Sequence, residues 1–176
     1  MNHLRRRQTV ALATGALLTA GLALAAPAST AQPPAAAAAG RTATPLVVNA
    51  RWAGHCAYDR IVIDLRGRVP DVEVTRVPRL YRDGSGEPVA LAGKHFLQIR
   101  LHPAEAHLRS GESTYRGPKL AKIDLPALKG FAMTGDFEGY VTFGAAFDGR
   151  PSYRSFTLRS PDRFVLDVAH RNVCCG

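Results

Sequence analysis

The chain has 176 residues, 46% of them hydrophobic and 21% charged, and carries a formal net charge of +9. Arginine outnumbers lysine nineteen to four, and the positive charges are dispersed rather than run together. That pattern disfavours nucleic acid as a partner and favours anionic wall polymers or lipid head groups.

Residues 1–28 read as a signal peptide. MNHLRRR is a basic start, TVALATGALLTAGLALAA (9–26) is an apolar run of small residues, and ALA (23–25) or APA (26–28) suits signal peptidase. Gln8 and Thr9 fit a twin-arginine signal poorly, and no cysteine stands near the cleavage site to carry a lipid. The expected product is secreted, with no transmembrane anchor after cleavage. Its net charge is +6, because Arg5, Arg6 and Arg7 leave with the signal and no acid does. STAQPPAAAAAGRTATP (29–45) is low-complexity and reads as a disordered tether. Residues 46–176 suit a single domain.

Within that domain apolar residues recur with period two, the mark of strands with one face buried. PLVVNARW (45–52) is followed by DRIVIDL (59–65), where Ile61, Ile63 and Leu65 share a face opposite Arg60, Val62 and Asp64. DVEVTRV (71–77) and HFLQIRLH (95–102) come next, the latter with Leu97, Ile99 and Leu101 together. FEGYVTFG (137–144) groups Phe137, Val141 and Phe143 against Glu138, Tyr140 and Thr142. YRSFTLRS (153–160) aligns Phe156 with Leu158, and DRFVLDV (162–168) aligns Phe164, Leu166 and Val168. Turn signals separate these runs, as in RDGSGEP, FDGRPS and RSPD. Only PAEAHLR (103–109) suggests a helix, of about two turns. Seven or eight short strands predict an all-β fold, an antiparallel sandwich or barrel with one short helix at most.

DRIVIDL and DRFVLDV are near-copies. Antiparallel pairing would set Arg60 against Asp167, Val62 against Val165 and Asp64 against Arg163; the alternative is two pseudo-symmetric strands in different sheets. Neither arrangement needs catalysis. Cys56 precedes the first copy while Cys174 and Cys175 follow the second, so a structural disulfide from Cys56 to Cys174 or Cys175 is expected. Zinc-knuckle spacing is absent, and His55, His95, His102, His107 and His170 show no metal-ligand pattern; no metal and no cofactor is expected.

Residues 103–126 break the strand rhythm with a long polar segment, and segments of that kind carry sites. Asp136 and Glu138 in GDFEG have the i, i+2 spacing that places two carboxylates on one strand face. A hydrolase using Asp136, Glu138 and His107 is therefore one reading.

Four pieces taken in order, DRIVIDL, LHPAEAHLRSGESTYRGP (101–118), GDFEGYVTFG (135–144) and DRFVLDVAH (162–170), resemble the AMIN-like domain of secreted actinobacterial proteins. The resemblance covers nearly the whole domain. It implies a β-sandwich of two sheets similar to the AMIN domain of cell-wall amidases and secretins. It also implies a non-catalytic, cell-wall-associated role, with binding of peptidoglycan, an anionic envelope polymer or an envelope protein. Guided by it, the candidate binding residues are His107, Thr114, Tyr115, Arg116, Asp136, Glu138 and Tyr140, with Tyr153 as a further aromatic. Tyr140 is expected on the outer sheet face, as a glycan platform requires.

Overall fold

In a computed structural model the described residues are 43–171, 173 and 174. The segments expected to be signal peptide and tether, up to residue 42, and Cys175 lie outside them. Nine strands form: β1 (Leu46–Gly54), β2 (Tyr58–Arg66), β3 (Asp71–Val77), β4 (His95–His102), β5 (Leu120–Lys122), β6 (Leu128–Phe137), β7 (Tyr140–Phe147), β8 (Ser152–Leu158) and β9 (Arg163–Ala169). A four-stranded sheet runs β1-β2-β9-β8 and a five-stranded sheet runs β3-β4-β7-β6-β5, with every neighbouring pair antiparallel. This is the expected two-sheet sandwich. Among the described residues there is no helix, and so none long and apolar enough to cross a membrane.

The core lies between the sheets and is built from the alternating residues. Ile61, Ile63 and Leu65 from β2 and Phe164, Leu166 and Val168 from β9 meet Leu97, Ile99 and Leu101 from β4 and Val141 and Phe143 from β7. Burying a side chain of this size is worth about 1.5–3 kcal/mol. Phe131 and Phe143 stack with centroids 5.3 Å apart, and Trp52 and Tyr115 close the cluster from either side. The segment 78–94 crosses the outer face of the five-stranded sheet, where Leu80 and Val89 bury themselves with Ala132 in a second, smaller cluster. One end of that face is left open.

The two DR phrases pair directly, as Arg60↔Asp167, Val62↔Val165 and Asp64↔Arg163. Pseudo-symmetric placement in separate sheets is ruled out. The disulfide joins Cys56 to Cys174 across 118 residues, a closure worth about 4–5 kcal/mol in the chain-entropy model. Asp59, fully buried on β2, ties one sheet to the other: its Oδ2 accepts the backbone N–H groups of Ala127 and Leu128 at 2.7 and 2.8 Å, where β6 begins. His170 Nε2 lies 3.3 Å from the other oxygen, without hydrogen-bond alignment.

Three local expectations are corrected. Residues 103–109 are extended, because their backbone groups are taken by other segments: Ala104 N–H donates to Gly139 O, Glu105 N–H to Pro45 O, and Glu105 O accepts from Val47 N–H. FEGYVTFG is not one strand, because Glu138 and Gly139 form the two-residue turn between β6 and β7, both with positive φ. Phe137 is consequently 64% exposed rather than grouped with Val141 and Phe143 in the core. Phe156 turns outward among guanidinium groups instead of inward, and Leu158 beside it is exposed.

Candidate functional site

The TYRGP stretch of the long loop is packed from below. Thr114 Oγ1 donates to Val47 O at 2.9 Å, and Arg116 N–H donates to Val48 O at 2.9 Å, which lays the loop along β1. Tyr115 turns into the core, only 6% exposed, with its hydroxyl donating to Pro118 O at 3.1 Å. Burial pushes its pKa up to about 12. Gly117 is required by this arrangement, since a Cβ there would stand 2.5 Å from the Tyr115 hydroxyl and 2.9 Å from Ala50 N. The Arg116 side chain is exposed.

His107 and Asp136 do come together. His107 Nδ1 is 2.7 Å from Asp136 Oδ2, while Oδ1 accepts the Ala106 N–H at 3.0 Å, so both carboxylate oxygens are engaged by the loop. The hydrogen bond and then the charge of Asp136 raise the His107 pKa above its usual value. Around this pair opens a hollow of ≈ 390 Å³ that also takes in Arg82, Lys119 and Thr134. The Thr134 hydroxyl is buried there with no hydrogen-bond partner. Glu138 is exposed in the turn, so the two carboxylates do not share one strand face.

Tyr140 stands at the open end of the five-stranded sheet. Its ring stacks on His102 with centroids 4.1 Å apart and planes at 19°, and the Arg100 guanidinium lies 4.7 Å from its centroid. Strand register brings Asp71 opposite His102 and Glu73 opposite Arg100. These side chains border a hollow of ≈ 280 Å³ on the outer face. The result is a row of two aromatic rings, one guanidinium donor and two carboxylate acceptors at the solvent-facing side of the sheet. Among the described residues no group of three His, Cys, Asp or Glu side chains is placed to hold a metal.

The sequence profile of the AMIN-like domain matches residues 45–170, most of the chain and all nine strands. The chain belongs to the AMIN-like domain family. No curated protein and no solved structure matches it.

In this AMIN-like domain the motif residues have separate duties. Asp59 joins the two sheets with His170 beside it, Arg60 and Asp167 set strand register, and Thr114, Tyr115 and Gly117 seat the loop. Of the candidates named from sequence, Tyr140, Arg116 and Glu138 reach the surface, His107 and Asp136 border a hollow, and Thr114 and Tyr115 face inward contacts. Asp71, Glu73, Arg100 and His102 were missed. Each sits at a polar position of an alternating strand, but only the β3–β4–β7 register makes them neighbours of Tyr140.

Proposed function

We propose that the protein is an exported, non-catalytic binding module for a cell-envelope glycan, with peptidoglycan foremost, held at the outer face around Tyr140. The observation that carries this reading is the half-buried Tyr140 ring set among the exposed side chains of Asp71, Glu73, Arg100 and His102. A sugar offers apolar C–H faces and a rim of hydroxyls. Aromatic rings take the first, while carboxylates and guanidinium groups accept from and donate to the second. Membership of the AMIN-like family supports an envelope-associated, extracytoplasmic binding role. The basic start and apolar run of residues 1–28 support export.

Retention on purified cell walls at low salt is the test. Tyr140→Ala and Arg100→Ala are expected to lose most of the retention while keeping the wild-type melting temperature. No retention of the wild-type chain, or equal retention of both variants, would overturn the reading.

The hydrolase reading finds less support, because Asp136 already has both oxygens bonded and Glu138 stands in the turn. Turnover of intact walls by the wild type, lost in Glu138→Gln, would restore it.

A further inference from the structure

The outer face of the four-stranded sheet carries a cluster that the glycan reading does not use. Register places Arg60 on β2 and Arg154 on β8 on either side of Asp167 on β9. Arg60 donates to Asp167 Oδ1 at 2.7 Å and to Oδ2 at 2.9 Å; Arg154 donates twice to Oδ2, at 3.1 and 3.0 Å. The carboxylate is 3% exposed. Two guanidinium groups thus share one carboxylate, which leaves one positive charge in excess.

Both guanidinium groups lie near Tyr58 and Phe156, with ring centroids 5.1–5.9 Å away, and the rings hold their planes in place. A guanidinium has five N–H donors, and the bonds to Asp167 engage two on each arginine. Arg154 is 71% exposed, so its remaining donors face outward. Beside it lies a hollow of ≈ 300 Å³ with Ala57, Tyr58, Tyr153 and Ala169 in its lining. Ser152 also lines it, while the Tyr153 side chain turns inward onto the core, its hydroxyl donating to Val74 O of the other sheet at 3.0 Å. Apart from Asp167, no acidic side chain lines the hollow.

We propose that this hollow binds an organic carboxylate: Arg154 takes the carboxylate, and Tyr58 and the two alanines take the apolar body that carries it. The planar fork of the guanidinium matches a planar carboxylate, as its pairing with Asp167 already demonstrates. At roughly 30 Å³ per water-sized group, the volume suits about ten non-hydrogen atoms, such as a C-terminal dipeptide unit or a single sugar acid. A phosphate polymer would call for several cations in line, and this row offers one net charge. The site is independent of the Tyr140 face.

Titration of the exported chain with N-acetyl-dialanine, followed by NMR at low salt, tests the inference. Binding in the millimolar range is expected, with shifts at Tyr58 and the two alanines and weakening of about tenfold for the C-terminal amide. Arg154→Gln is expected to weaken the acid by about tenfold, with the melting temperature held within about 2 °C because Arg60 keeps Asp167 paired. Tyr140→Ala should leave this binding unchanged, which separates the two faces. Equal binding of acid and amide, wild-type affinity in Arg154→Gln, inorganic phosphate binding as well as the dipeptide, or no binding at about 10 mM would each overturn it. If Arg154→Gln misfolds, the comparison of acid with amide on the wild-type chain still decides.

Discussion

Arg60 and Asp167 are 107 residues apart in sequence and directly opposed in space, joined by hydrogen bonds of 2.7 and 2.9 Å across β2 and β9. Burial alone would raise the Asp167 pKa. The hydrogen bonds and charges of Arg60 and Arg154 outweigh it and hold the carboxyl below its usual range. A depressed folded-state pKa contributes stability that is present above the unfolded value, about 3.9, and lost as pH falls through the folded value. Asp167→Asn is therefore expected to cost about 2–3 kcal/mol at neutral pH, near the lower bound for breaking a buried pair. Its melting temperature should converge with the wild type only below pH ~4. Thermal unfolding of both proteins from pH 2 to 7 checks this, and convergence already near neutrality would contradict it.

The register of these strands was legible on the direct-pairing alternative, because period two fixes which residues share a face and two like phrases of the same charge order, run antiparallel, set each Arg against an Asp. That they pair rather than lie in separate sheets was not. Which neighbour claims a given charge was not legible. Asp64 stands opposite Arg163, yet its carboxylate takes bidentate hydrogen bonds from Arg51 on β1, both at 3.0 Å, while Arg163 turns to Pro161 O. Alternation says nothing of a third strand. The long loop was legible as an anomaly of rhythm, and His107 meets Asp136 within it. Its extended path was not, since PAEAHLR has ordinary helix-forming residues and only contacts with distant strands keep it open. The open face around Tyr140 was half legible: period two pointed the tyrosine outward, but its partners depend on how three strands align.

Glu138 exposes a second limit of pattern reading and supplies a prediction. FEGY lacks the Asn-Gly or Asp-Gly pair that marks a two-residue hairpin, so alternation ran straight through it. Glu138 has φ of 48° and Gly139 of 78°, positive at both central positions. Asparagine tolerates that region better than glutamate does. Glu138→Asn is expected to stabilise the domain by about 0.4–1 kcal/mol, seen as a raised denaturant midpoint. Unchanged wall retention by the same variant would also separate Glu138 from binding.

The His107–Asp136 contact makes loop anchoring depend on pH. A histidine with a raised folded-state pKa contributes stability that is fully present below its unfolded value of about 6.5 and lost as pH rises through the raised one. The His107 side chain is 40% exposed, so solvent screening limits the effect to a few tenths of a kcal/mol. The difference in melting temperature between wild type and His107→Gln should be largest near pH 5–6 and shrink at higher pH. A difference that grows with pH would reverse the assignment.

Tyr115 tests whether the loop motif seats the chain or meets a ligand. Its ring is 6% exposed and packs against Phe143 at 5.7 Å, and its hydroxyl is spent on Pro118 O. Tyr115→Ala would empty a core position and cost about 3–5 kcal/mol, so any loss of wall retention in that variant would report unfolding. Tyr115→Phe is the discriminating change. It removes only the hydroxyl, at a cost of about 1 kcal/mol, and leaves the Pro118 carbonyl a further lone pair for water. Retention per folded molecule should stay at the wild-type level in Tyr115→Phe and fall in Tyr140→Ala. The opposite ranking would move recognition from the open sheet face into the loop, and would require the loop to lift off β1 to uncover the hydroxyl.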